Sequence, residues 1–238
     1  MKKTVFTLLF MLAITAQGFA HYLWIETSPY GKLDQVQEIR VYYGEYTYGV
    51  IEEVIGDAFP LVNDFTLWVL DVDGKRTELK VVPKENYYVA HFTPKSHGTY
   101  TVLLDNDNID VLDYTQYDFG IFKTHYHSVA KFQVGEVGNG TIAQNEKGIT
   151  LKHVPISEGE VKLQILYQNK PLPKNEVKVY VADLWSKTLE TDEDGFVSFK
   201  LPWKTKYIVE TTIKEEVPGT YRGKDYEFIW HCVTTCID

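Results

Sequence analysis

A pair of histidines with alternate spacing, His125-Tyr126-His127, and a histidine at position 21 are the residues of this chain best suited to chemistry. On a strand, residues two apart face the same side with Cα atoms roughly 7 Å apart, so both imidazoles can converge on one ion. On a helix they diverge by about 200° and the pairing fails. His21 draws its interest from what precedes it. Lys2 and Lys3 form a basic start, Val5 to Ala16 an apolar run, and Gly18-Phe19-Ala20 a small-x-small cleavage site, so residues 1–20 read as a secretory signal peptide. Cleavage after Ala20 puts His21 at the chain start. A free α-amino group titrates near about pH 8, so it yields a proton to a metal readily and closes a chelate ring with the same residue's imidazole.

An amine with three imidazoles suits nickel, cobalt, copper or zinc far better than calcium or magnesium. Asp118 or Glu45 is expected to complete the shell or to orient a ligand imidazole from outside, so the candidate metal set is His21, His125, His127, Asp118 and Glu45. The other histidines offer less. His97 sits at a turn, His91 lies between Ala90 and Phe92 on an alternating strand, and His153 has no local partner. His231 neighbours Cys232 and Cys236, but alternation puts it on the opposite face from Cys232. The two cysteines, four residues apart, lie roughly 13 Å apart on an extended strand and pair only if the tail curls. That pairing stays open. The acidic runs Asp105 to Asp110 and Glu190 to Gly195 read as turns, since neither supplies the later ligands of a calcium loop. There is no Gly-x-Ser-x-Gly elbow, no His-Glu-x-x-His and no glycine-rich phosphate loop, so no enzyme activity is expected.

These residues need strands to hold them, and the sequence is rich in β-branched and aromatic alternation. Glu38 to Tyr43, Phe65 to Leu70, Thr77 to Val82, Tyr87 to Phe92 and Tyr100 to Leu104 read as short antiparallel strands. Phe119 to Ala130 fits strand or helix, and Lys131 to Val134 a closing strand. Gly135 to Gly148 has the composition of a connector. Beyond it, Val161 to Tyr167, Val177 to Val181, Ser186 to Thr191, Phe196 to Leu201, Tyr207 to Thr212 and Tyr226 to Thr235 form a second strand series. The expectation is therefore an all-β chain of two consecutive β-sandwich domains, residues 21–134 and 149–238, joined by a linker over 135–148. With Lys2 and Lys3 removed, 22 basic residues face 33 acidic ones, a net charge of -11. That sign repels nucleic acid and anionic lipid and favours cations. No cysteine follows the cleavage site, so the product is expected to be periplasmic without a lipid anchor or a membrane-inserted segment.

The opening Ala20-His21-Tyr22-Leu23-Trp24-Ile25-Glu26, the block Tyr42-Tyr43-Gly44-Glu45, the segment Asp113 to Gly120 and the ending Tyr226-Glu227-Phe228-Ile229-Trp230-His231 together resemble the domain of unknown function 4198 family. These are exported bacterial proteins, several encoded beside nickel or cobalt uptake systems. The resemblance covers the whole chain after the leader. It implies a first sandwich carrying the metal-related residues and a second, immunoglobulin- or transthyretin-like one. It also implies a periplasmic nickel- or cobalt-binding protein that hands the ion to a membrane metal-transporter component. Cys232 and Cys236 depart from the family pattern. Two further readings stand beside it: a copper histidine-brace protein, carrier or oxidase, and a surface glycan-binding or adhesion module in which the sandwiches merely present loops.

Overall fold

The computed structural model describes residues 21–136, 145, 147–154 and 159–237. The expected signal peptide and most of the expected linker, residues 137–144 and 146, lie outside the described residues. The first half contains β1 (Tyr22–Thr27), β2 (Tyr30–Gly31), β3 (Gln37–Glu45), β4 (Val50–Ile51), β5 (Thr66–Leu70), β6 (Arg76–Glu78), β7 (Val82–Pro83), β8 (Tyr88–Phe92), β9 (Gly98–Asn106), β10 (Leu112–Asp113) and β11 (Ile121–Val134). The second contains β12 (Ile149–Val154), β13 (Glu160–Tyr167), β14 (Lys170–Pro171), β15 (Glu176–Tyr180), β16 (Ser186–Glu190), β17 (Phe196–Lys200), β18 (Tyr207–Glu215), β19 (Gly219–Tyr221), β20 (Lys224–Tyr226) and β21 (Phe228–Ile237). Three short 3-10 turns, at Tyr46–Tyr48, Phe59–Val62 and Thr115–Tyr117, are the helical elements among the described residues. The chain is all-β. No helix among the described residues is long and apolar enough to cross a membrane.

The two halves share one sheet. Its path runs β16-β15-β18-β21-β11-β9-β5-β6, and β11 meets β21 in parallel, with His125 beside His231 and Val129 beside Thr235. A second sheet, β1-β3-β8-β7 with β4, covers one face, and a third, β12-β13-β14 with β17, covers the other. Alternate residues of the same strands show the layering. Val102, Leu104, Ala130 and Phe132 join the core under the β1 sheet, whereas Leu103 and Val129 join the core under the β13 sheet. A strand buried on both faces loses the apolar-polar alternation of a half-buried one. This is why Phe119 to Ala130 read ambiguously and why β1, Tyr-Leu-Trp-Ile-Glu-Thr, gave no strand signal by alternation.

Strand β1 pairs with β3 along one edge. Its other edge lies over β11 and β21, where backbone groups are met by hydroxyls instead of a neighbouring strand. Tyr126 Oη donates to the His21 carbonyl (2.7 Å), Thr234 Oγ1 donates to the Leu23 carbonyl (2.7 Å), and the Ile25 N–H donates to Ser128 Oγ (3.2 Å). Buried edge groups left without partners would each cost about 1–3 kcal/mol. The side chain of Trp24 is fully buried between the two sheets, stacked on Tyr42 at 5.3 Å, with its indole N–H donated to Glu26 (2.8 Å). These contacts fix where residue 21 stands. At the far end, β21 stays extended through Cys232 and Cys236, which share one face, and the two thiols are not joined.

Candidate metal centre

The imidazole of His21 packs against the Tyr43 ring, centroids 5.3 Å apart, where β3 nears its end. The next residue, Gly44, has φ +147°, a conformation that side chains rarely adopt, and a Cβ there would run into the Val50 carbonyl. Glycine thus lets β4 fold tightly back on β3, and the corner brings two carboxylates to opposite sides of the ring. Glu45 Oε1 lies 3.2 Å from His21 Nδ1 and Glu52 Oε1 lies 2.7 Å from His21 Nε2. Burial raises the Glu45 carboxyl above its ordinary value, against the lowering influence of His21. Glu45 Oε1 is buried and accepts no hydrogen bond. With Nε2–H given to Glu52, the Nδ1 lone pair and the Glu45 oxygen face each other across a gap suited to a proton or a cation. Glu45 also borders a cleft of about 260 Å³ with Tyr22, Thr47, Lys178 and Tyr180, so its carboxylate is reached from outside.

The second group of histidines lies on the other face of β11. Tyr126 points toward β1, so its neighbours His125 and His127 project the opposite way. There His125 Nε2–H meets Asp105 Oδ1 at 2.6 Å, and His127 Nδ1 lies 3.5 Å from the same oxygen. His125 Nδ1 stands 3.2 Å from His231 Nδ1, and His231 Nε2–H reaches Glu215 Oε2 at 2.9 Å. Burial pushes the His127 and His231 imidazoles down toward the neutral form, with the nearby carboxylates opposing it. Burial alone would raise the Asp105 and Glu215 carboxyls, but hydrogen bonds from the histidines outweigh it and hold both below the usual carboxylate range. Asp105 and Glu215 are held ionised, and burial favours the neutral base at His127 and His231.

The expected five-residue set is therefore divided. His21 and Glu45 come together, and His125 and His127 come together, but Tyr126 and the thickness of β11 separate the two groups. The expected convergence of His21 on His125 and His127 is corrected accordingly. Asp118 belongs to neither: it sits exposed at the left-handed end of the Thr115–Tyr117 turn, φ 57°, its N–H donated to the Thr115 carbonyl. Glu52, Asp105, Glu215 and His231 were missed. Asp105 stood at the head of an acidic run taken for a solvated hairpin end, and His231 was set aside because its sequence neighbours were the wrong partners. Only the parallel pairing of β11 with β21 supplies the right one. Among the described residues no group of three or more His, Cys, Asp or Glu side chains is disposed to hold a metal ion.

A family model described as a domain of unknown function (DUF4198) matches residues 18–215 of the chain. No curated protein matches it.

Proposed function

From the premise that the chain belongs to the DUF4198 family, we propose that it is an exported, periplasmic protein that binds a divalent transition-metal ion at His21, nickel or cobalt foremost, and passes it to a membrane uptake component. Removal of residues 1–20 frees the His21 amine. Amine and Nδ1 together form a six-membered chelate ring, and Glu45 adds a carboxylate oxygen from the Nδ1 side. Glu52 takes the Nε2–H, which holds the ring in one tautomer and raises the basicity of Nδ1. Two nitrogens and an oxygen favour nickel, cobalt, zinc or copper over calcium and magnesium.

The observation that carries this reading is the buried, hydrogen-bond-free Glu45 Oε1 lying 3.2 Å from His21 Nδ1. A carboxylate oxygen and an imidazole nitrogen held this close present two converging donor atoms to a cation. The side chains of His21 and Glu52 keep 17% and 25% of their surface open, so an ion enters and leaves without unfolding the strands. A carrier needs this, whereas a structural site closes around its metal. A copper brace requires a second imidazole opposite the first. His125 and His127 belong to the other group, so that reading loses its ligands.

Nickel and cobalt titrated by calorimetry into protein beginning at His21 test the assignment. Glu45→Gln is expected to weaken one bound equivalent by about 100-fold or more, and Glu52→Gln by the 10–100-fold of an outer carboxylate. Affinities unchanged in both variants would overturn it.

A further inference from the structure

The structure assigns a second metal site, independent of His21, to the facing Nδ1 atoms of His125 and His231, with an imidazole-preferring ion of the zinc and cobalt class as its ligand. It is built where the two halves of the chain meet. His125 on β11 and His231 on β21 are direct neighbours in the parallel pair, so both imidazoles leave the shared sheet on the same face. Both are buried, at 6% and 3% exposure. Their rings stand at 63° with centroids 5.3 Å apart, and Tyr167 closes the far side of His231.

Hydrogen-bond accounting leads to the ion. Asp105 holds the Nε2–H of His125 and Glu215 holds the Nε2–H of His231. A ring whose single proton is on Nε2 presents Nδ1 as a bare lone pair, and the two Nδ1 atoms stand 3.2 Å apart. Two lone pairs cannot satisfy one another, so in that tautomer the pair calls for either an extra proton between the atoms or a cation beside them. At metal–nitrogen bonds of about 2.0–2.1 Å, a 3.2 Å edge subtends an angle of about 100° at the ion, within the range of tetrahedral coordination. Carboxylates on the outer nitrogens are the usual second layer of a histidine metal site, where they fix the tautomer and strengthen the ligand. Asp105 and Glu215 already occupy that place.

An unmet polar atom lies beside the pair. The described residues contain three buried side-chain nitrogen or oxygen atoms without a hydrogen-bond partner: Glu45 Oε1 at the first centre, and His127 Nδ1 and Asn145 Nδ2. The Asn145 amide and the His125 ring both crowd the position where a Cβ on Gly148 would stand, so Asn145 borders His125 directly. His127 Nδ1 lies instead near the Asp105 oxygen, on the Nε2 side of His125. Buried polar groups in folded proteins are almost always paired, and an orphan amide beside the facing imidazole pair marks a place where a polar occupant belongs. A bound ion with one or two waters accounts for it, and joins β11 to β21 across the seam between the halves.

The test uses protein beginning at residue 21 with His21→Ala, which removes the first centre. Zinc by calorimetry and cobalt by visible absorption are each expected to show one bound equivalent, the cobalt spectrum with the intense d–d bands of a tetrahedral ion. His231→Gln on that background is expected to weaken binding at least 100-fold, Glu215→Gln 10–100-fold, and His153→Gln not at all, with circular dichroism confirming the fold throughout. Nitrogen-15 NMR of the imidazoles is expected to show both Nδ1 resonances shifted by zinc. Absence of zinc and cobalt binding in folded His21→Ala protein, equal binding with and without His231, or a proton shared between the two Nδ1 atoms at saturating zinc would overturn the proposal. None of these outcomes bears on the His21 centre, whose own equivalent is read as the difference between wild type and His21→Ala.

Discussion

Around His21 the carboxylates come from one tight corner, eight residues from Glu45 to Glu52, while around His125 and His231 they come from two distant strands, Asp105 on β9 and Glu215 on β18. The carboxylates of the first centre are local in sequence, and its imidazole is 17% exposed. The second is assembled by a parallel strand pairing across more than a hundred residues, and the side chains of its facing histidines are only 7% and 4% exposed. On the proposed reading, an ion that must exchange would bind at the corner, and one that joins two parts of the fold would bind inside the shared sheet. The contrast predicts different vulnerabilities. Damage to one corner should disable the first centre alone, whereas the second should fail when one of its facing imidazoles is removed or when the halves separate.

The largest effect expected is at that corner. Gly44→Val places a side chain against the Val50 carbonyl at a positive φ, and loss of about 3 kcal/mol or more is expected in urea unfolding, through strain and steric conflict together. Metal binding at His21 should disappear with it. If Gly44→Val left both stability and the His21 equivalent intact, the corner would not be what positions the carboxylates.

Acidification sharpens the comparison next. His153 on β12 is half-buried and has Thr235 in place of a carboxylate, at 3.2 Å, and desolvation, reinforced by Lys131, pushes its imidazole down to about 4 from 6.5. Between those values the unfolded chain binds a proton that the folded chain refuses, so stability rises with pH through this window and is lost as pH falls through it. The total is roughly 3 kcal/mol. His153→Gln should flatten this part of a plot of melting temperature against pH, and an unaltered slope would contradict the assignment.

Smaller again is the grip on β1. Thr234→Val leaves the Leu23 carbonyl without its hydroxyl donor, at a cost of about 1–3 kcal/mol. Faster hydrogen exchange is expected in the β1 amides, with no change in the second centre. The least effect belongs to Asp118. Asp118→Asn keeps the left-handed turn, and both stability and metal affinity should stay within about 0.5 kcal/mol of wild type.

How much of this was legible in the sequence differs between the two regions for a physical reason. Strands buried on one face, such as β3, β5 and β8, announce themselves by alternation, and their positions agree with expectation to within a residue or two. Strands β1 and β11 carry core on both faces, and the signal that defined the others vanishes there. The same asymmetry governs the sites. Glu45 lay beside Gly44 in a block already singled out, and His125 with His127 showed strand spacing. Asp105, Glu215 and His231 become partners only through β9, β18 and β21, and pairing between distant strands leaves no trace in local pattern. His21 and His125 looked like one site because nothing in the spacing says that Tyr126 turns its face to β1.

The central claim concerns the chain start, and adding one residue tests it most directly. Protein beginning with a single glycine before His21 keeps every side chain described above but turns the amine into an amide. The account predicts that the nickel equivalent lost by His21→Ala is weakened at least 100-fold by this extension as well, with melting temperature unchanged. Nickel affinity equal in the extended and unextended proteins would contradict it.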